Sequence, residues 1–151
     1  MIALKKLLSV LLLLVLLVGG FFIYLKAAPP LVTGTIEKSE DNRSVVIEIG
    51  NKGLKDLKVT SVRINNNANP KDVKIQVSNQ QKDLAALTDG RGEAENLEGI
   101  ENISISKGTN PEEKNEGTGY RLIVSYDEGI HNVHIKYRYF GILFNDTLEI
   151  D

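Results

Sequence analysis

Nineteen consecutive residues, Leu7 to Leu25, carry one clearly polar side chain, Ser9. A small globular core cannot cover such a helix on all sides, so the run is expected to find another apolar medium. At 1.5 Å per residue it spans roughly 30 Å, the thickness of one bilayer core. Lys5 and Lys6 precede it, and the positive-inside rule places them in the cytoplasm. Lys26 on the far side weakens that bias without reversing it, and Phe21, Phe22 and Tyr24 lie near the outer end, where Tyr24 suits the interface.

The competing reading is a cleaved signal peptide, whose apolar region is shorter and ends in an A-x-A-like site. Lys26-Ala27-Ala28-Pro29-Pro30 is a poor site, with Lys before the candidate bond and Pro after it; Val18-Gly19-Gly20 is better but lies inside the apolar run. A pilin-type segment would carry a processing glycine before the run, and no Gly precedes residue 19. The expected organisation is therefore a cytoplasmic stub over 1–6, a retained signal anchor over 7–25, a linker over 26–30 stiffened by Pro29-Pro30, and an extracytoplasmic domain over 31–151.

Composition narrows what that domain does. The chain has no cysteine, so disulfides, thiolate metal sites, thiol nucleophiles and a lipidated-cysteine anchor are excluded, and it has no tryptophan to stack on sugars or bases. The formal net charge is −2; without Lys5, Lys6 and Lys26 the remainder holds 15 basic and 20 acidic residues, a net of −5. An acidic domain argues against nucleic acid, and also against docking on anionic lipid headgroups.

From Leu31 onward the apolar period is two, as in strands with one face buried. Val45, Ile47 and Ile49 share a face, as do Val73, Ile75 and Val77; Ile103 and Ile105; Tyr120, Leu122, Val124 and Tyr126; and Val133, Ile135, Tyr137 and Tyr139. Leu57 and Val59 give way to Val62 and Ile64, a change of phase that predicts a bulge near Thr60-Ser61. Further strands are expected at Val32–Glu37 and Gly141–Ile150. Turn signals fall at Asp41-Asn42, Asn51-Lys52-Gly53, Asn65–Pro70 and Asp127-Glu128-Gly129. A short helix is expected at Gln80–Leu87 with Gly90 as its stop, and polar loops at Arg91–Gly99 and Lys107–Gly117. About seven or eight strands at this spacing predict an all-β fold, an antiparallel β-sandwich or barrel.

The stretch Val45-Val46-Ile47-Glu48-Ile49-Gly50-Asn51-Lys52-Gly53, followed by Leu57-Lys58-Val59 and Val62-Arg63-Ile64-Asn65, resembles the early hairpin of prokaryotic Ig-like domains of the CARDB group. The resemblance covers about 25 of 151 residues. It implies an immunoglobulin-like sandwich of a kind used at cell surfaces and seldom catalytic. Glu116-Gly117-Thr118-Gly119-Tyr120-Arg121-Leu122 is similar to the tyrosine-corner approach to an immunoglobulin strand F, with Leu122 where antibody domains have cysteine.

Candidate chemistry is sparse. His131 and His134 are the only histidines, and three residues apart on a strand they point to opposite faces, against a shared metal. There is no Gly-x-Ser-x-Gly elbow, no acid-rich calcium loop (Asp89-Gly90-Arg91-Gly92-Glu93 contains an Arg), and no Gly-rich loop entering a long helix; no cofactor is expected. Glu112-Glu113 and Asp127-Glu128 lie in hydrophilic stretches where solvation keeps carboxylates ordinary. The sequons at Asn42, Asn102 and Asn145 are read as chance matches. The aromatic tail offers the one binding candidate: Phe140 breaks the alternation beside Arg138, and with Phe144 forms a possible interaction site. Gly19 and Gly20 are candidates for helix packing in the membrane. The favoured function is a structural or protein-interaction module. An accessory subunit of an envelope secretion, pilus or archaellum machine is the alternative, since archaellum stator proteins are similar in plan, and a hydrolase or metal-dependent enzyme ranks last.

Overall fold

The computed structural model describes residues 2–79, 97–113 and 117–150. The chain divides into two compact units, Met1–Pro30 and Leu31–Asp151. The first is built on one helix, α1 (Ile2–Ala27), which contains the whole expected span and is long and apolar enough to cross a membrane. Its 26 residues correspond to roughly 39 Å. Ser9 donates its hydroxyl to the Lys5 carbonyl at 2.9 Å, so the polar atom of the apolar run is satisfied within the helix.

The second unit consists of eight strands: β1 (Leu31–Lys38), β2 (Ser44–Asn51), β3 (Lys58–Ile64), β4 (Asp72–Asn79), β5 (Leu97–Gly99), β6 (Thr118–Ser125), β7 (Asn132–Tyr139) and β8 (Ile142–Glu149). They form two antiparallel sheets, one ordered β1-β2-β6-β4-β5 and the other β3-β7-β8. The expected alternation decides which faces are buried. Val45, Ile47, Leu122, Val124 and Ile75 of the larger sheet are 0% exposed, as are Val133, Ile135 and Tyr137 of the smaller one. Fully burying a Val or Ile side chain is worth roughly 1.5–3 kcal/mol, so these inward rows dominate the stability of the unit.

The change of phase in β3 is a register shift between Val59 and Ser61, opposite β7. A second shift lies in β1 between Thr33 and Ile36, and there the Thr35 amide donates to Glu48 Oε2 at 3.3 Å. Next to it, Gly34 and Gly50 leave room for the 109–111 segment. A Cβ on Gly34 would come within 2.7 Å of Pro111 Cβ, and one on Gly50 within 2.5 Å of the Thr109 carbonyl oxygen.

Two expectations are corrected. Ile103 and Ile105 are buried, yet their segment is not a strand; it makes a single bridge, Ile105 to Leu57. The eighth strand is instead β5, within the stretch read as a loop, paired to β4 through Leu97↔Gln76 and Gly99↔Lys74. Alternation over three residues cannot separate a strand from an extended connection that anchors two side chains. The expected helix at Gln80–Leu87, with Gly90, lies outside the described residues, as do 91–96 and 114–116.

Asn51, at the end of β2, ties the connections together. It is 0% exposed. Its Nδ2 donates to the carbonyls of Lys55 (2.9 Å) and Ile105 (3.0 Å), and its Oδ1 accepts from the Gly53 amide (2.8 Å). Its backbone amide donates to the Thr109 carbonyl (2.7 Å), and its carbonyl accepts from the Thr109 amide (3.1 Å). Replacing Asn51 with Ala leaves the part-buried Lys55 carbonyl and Gly53 amide without this partner and the Ile105 carbonyl with the Leu57 amide alone, at 1–3 kcal/mol for a buried group left unsatisfied. Asn51→Ala is expected to lower unfolding stability by about 3 kcal/mol in urea denaturation, with the urea dependence unchanged; a loss under about 1 kcal/mol would show that water replaces the amide.

Candidate interaction surface

The β7–β8 hairpin turns through two residues, Phe140 and Gly141, between the paired Tyr139 and Ile142. Both have positive φ, +49° and +74°, as a type I′ turn requires. Glycine accepts that conformation freely; Phe140 holds it at a cost of about 1–2 kcal/mol. Its ring lies edge-on to Tyr139 at 4.7 Å and under Lys55 Nζ at 5.6 Å, and the residue is 39% exposed. The break in alternation therefore marks a turn, and the turn presents the ring at the tip.

The three candidate residues do not share a surface. Arg138 is exposed on the outer face of the small sheet, in register with Lys58 on β3 and Leu143 on β8. Phe144 points to the other side, half-buried, stacked on Tyr137 at 5.3 Å with the ring planes 9° apart. Phe144 thus belongs to the inner face and Arg138 to the outer, because neighbouring positions in a paired register alternate. Gly19 and Gly20 occupy successive helix positions about 100° apart, and a Cβ added to either would meet nothing within 4 Å.

The outer face of β3-β7-β8 carries Lys58, Arg63, Lys136 and Arg138, with Glu149 at one end. Lys58 stands directly across from Arg138, a like-charge pair that destabilises a sheet. Among the described residues none of these four cations has a carboxylate within 4.0 Å. His134, on the same face, is held at both nitrogens, by Thr147 Oγ1 and by the Asn65 carbonyl, each at 2.9 Å. The carbonyl can only accept, so Nε2 carries a proton. His131 lies outside the strand in the preceding loop, exposed, its amide donating to Asn65 Oδ1 at 2.8 Å.

Charge is also sorted along the strands. One end of the domain gathers Glu40, Asp41, Asp72, Asp127, Glu128 and Glu149. It is defined by Ser44↔Ser125, Asp72↔Ser125 and Asn132↔Glu149. Three of its cations are committed, Lys71 to Asp127 at 2.7 Å, Lys74 to Asp72 at 2.9 Å and Arg43 to Asp41 at 3.9 Å, while Arg63 reaches the same end on the outer face of the small sheet. The Ser39 hydroxyl, then the Arg43 amide, hold the Asp41 carboxyl below its ordinary range. At the other end Leu31 pairs with Asn51, Asn51 holds the Lys55 carbonyl, and the Leu54 amide donates to the Tyr139 hydroxyl at 2.7 Å. Lys52, Lys55, Lys58, Lys107 and Arg138 lie there with Asp56, whose carboxylate accepts from the Lys107 amide at 3.0 Å, and Glu112 and Glu113 follow Pro111 beside Gly50. The net charge of −5 is a sum over the domain, while a surface responds to the local field.

Two buried groups complete the region. The Tyr137 hydroxyl is enclosed with no partner in hydrogen-bond geometry, although Asp146 stands beside it on the inward side of β8. Burial first, and the Asp146 charge second, push the phenol well above its ordinary range. Burial likewise raises the Asp146 carboxyl, against an opposing pull from the Tyr137 hydroxyl. An inward-pointing acid on a strand with one sheet partner discourages further strand pairing. Tyr120, the candidate corner tyrosine, lies in β6 between β2 and β4, and its hydroxyl donates to Ser106 Oγ at 2.9 Å and accepts from the Ser106 amide at 3.2 Å. It fastens the 103–110 part of the connection from β5 to β6. No family model, no curated protein and no solved structure matches the chain.

Two outcomes follow from this geometry. Lys58→Glu turns a repulsive cross-strand pair into an attractive one and is expected to raise unfolding stability by about 0.5 kcal/mol at low salt, a gain that shrinks at high salt. For Asp146, a carboxyl whose pKa is raised on folding lowers stability as pH climbs through its range. The penalty is complete above the folded pKa and absent below the unfolded one, so Asp146→Asn should raise the melting temperature at pH 7 and leave it unchanged at about pH 3.

Proposed function

We propose that the chain is a single-pass membrane protein whose β-domain, of immunoglobulin-like type, works outside the cytoplasm as a structural or protein-interaction module. The observation that carries the reading is the strand order on a unit entered three residues after an apolar helix. The order β1-β2-β6-β4 beside β3-β7-β8 corresponds to strands A-B-E-D and C-F-G of a constant-type immunoglobulin sandwich, with β5 added next to D. Under that correspondence Tyr120 falls on strand E, not F, so the fold reading rests on topology and not on a tyrosine corner. Lys5 and Lys6 favour the orientation with the N-terminus in the cytoplasm.

A module of this kind acts by position. The helix confines the domain to a surface, which raises its effective concentration toward partners in the same membrane. The four uncompensated cations on the outer face, two of them in a pairing that costs stability, fit recognition better than structural support.

The absence of cysteine makes the topology directly testable. In intact cells, single-cysteine variants Ala3→Cys and Thr60→Cys are expected to be, respectively, protected from and modified by a membrane-impermeant maleimide, with the protein retained in carbonate-washed membranes at its full mass. Release of a shortened chain lacking residue 3 would identify the helix as a cleaved signal and overturn the anchor, and modification of Ala3→Cys with protection of Thr60→Cys would overturn the orientation.

A further inference from the structure

We propose that the end of the β-domain where the chain enters docks on the anionic headgroups of the membrane that holds the helix, through Leu54, Lys55, Lys58, Arg138, Phe140 and Leu143. The inference rests on the anchored reading and names a partner that reading leaves open.

The domain's own topology carries the first step. Leu31 is the entry point of the β-unit, and it pairs with Asn51. Asn51 holds the 51–55 turn, and the Leu54 amide in that turn is bonded to the Tyr139 hydroxyl beside the hairpin tip. Entry point, turn and tip therefore occupy one end of the domain. Only Ala28, Pro29 and Pro30 separate α1 from Leu31, a reach of about 10 Å even when extended. A membrane holding the helix keeps that end within one short linker of its headgroups.

The chemistry of that end carries the second step. Leu54 is 66% exposed, Leu143 56% and Phe140 39%, at positions where alternation or turn geometry would readily accept polar residues. Phe140 in particular is held at positive φ, where Asn or Gly would be relaxed. Cations adjoin two of these apolar side chains: Lys55 lies over the Phe140 ring, and Arg138 pairs with Leu143, with Lys58 one strand further along the same row. Apolar side chains beside Lys and Arg are the composition of an interfacial membrane contact, where the apolar groups enter the acyl boundary and the cations meet phosphate. Among the described residues Glu40, Asp41, Asp72, Asp127, Glu128 and Glu149 lie at the opposite end, whereas Asp56 lies at this one and Glu112 and Glu113 follow Pro111, which packs against Gly34 and Gly50. An acidic protein would match the cations but would not require three exposed apolar side chains at the end tethered to the bilayer.

The test uses the full chain in nanodiscs. A fluorophore on Leu143→Cys, with Glu128→Cys as the control at the acidic end, is read by quenching from headgroup-spin-labelled lipid. Strong quenching at residue 143 in discs containing phosphatidylglycerol, weak quenching in phosphatidylcholine alone, and none at residue 128 are expected. Each Lys or Arg near an anionic surface shifts the docked population about fivefold, so Lys58→Glu should reduce it by roughly fivefold to 25-fold. Because Lys58→Glu is expected to stabilise the fold, its loss of docking would not be ascribed to unfolding. Quenching that ignores lipid charge, or survives Lys58→Glu, would overturn the proposal, as would equal quenching at residue 128. Protection of residue 143 only in discs holding two chains would assign the surface to a second copy and overturn lipid docking. Retention in the disc with an unquenched label overturns docking alone, whereas loss of the protein from the disc fraction overturns the anchor and docking together.

Discussion

The carboxamide of Asn51 is the point on which the connections of the β-domain depend. Strand pairing places β1 beside β2 and β3 beside β7, but it does not decide where the segments between strands lie. Asn51 decides this at one end by offering two donors and one acceptor from a side chain with no exposure, each used on a different backbone group. The turn into β3 and the crossing from β5 toward β6 are thereby fixed to the same residue. Aspartate has no donor, leucine no polar group, and glutamine sets its amide one bond further out, so the arrangement is specific to asparagine. The close approach at Gly34 and Gly50 follows, since the segment that Asn51 holds at Thr109 continues as Pro111 over β1 and β2.

With those connections in place, the two ends of the domain acquire different chemistry. Among the described residues six acids gather on the turns and strand ends of one end, and Lys52, Lys55, Lys58, Lys107 and Arg138 at the other. Net charge is unchanged by this sorting, but the potential at each surface is not, because screening limits each charge to neighbours within about 10 Å. The Lys58–Arg138 pair illustrates the point: 80 residues apart in sequence, they become direct neighbours through the β3–β7 register.

The inward face of each long strand was legible because burial imposes a period of two over six to eight residues, and a one-residue error would expose the whole row. Even the bulge in β3 could be read, since moving from Leu57 and Val59 to Val62 and Ile64 changes which parity is apolar. Short elements escaped. Ile103 and Ile105 alternate like a strand but serve as two anchors in a connection, and Leu97–Gly99 pairs with β4 although three residues carry little pattern. Phe140 was visible as an anomaly. Its grouping with Phe144 failed because the side of a hairpin on which each residue emerges depends on the turn length, here two residues.

The sequence by itself determined an apolar helix, an all-β remainder and the inward residues of its long strands. Those properties follow from local composition and from the repeat distance of the backbone. Only the tertiary structure decided which strands are neighbours, which cations face one another without a carboxylate, and that the entry at Leu31 and the Phe140 tip lie at the same end. These depend on contacts between residues far apart in the chain, whose register is set by the burial of the whole core and by the asparagine that closes it.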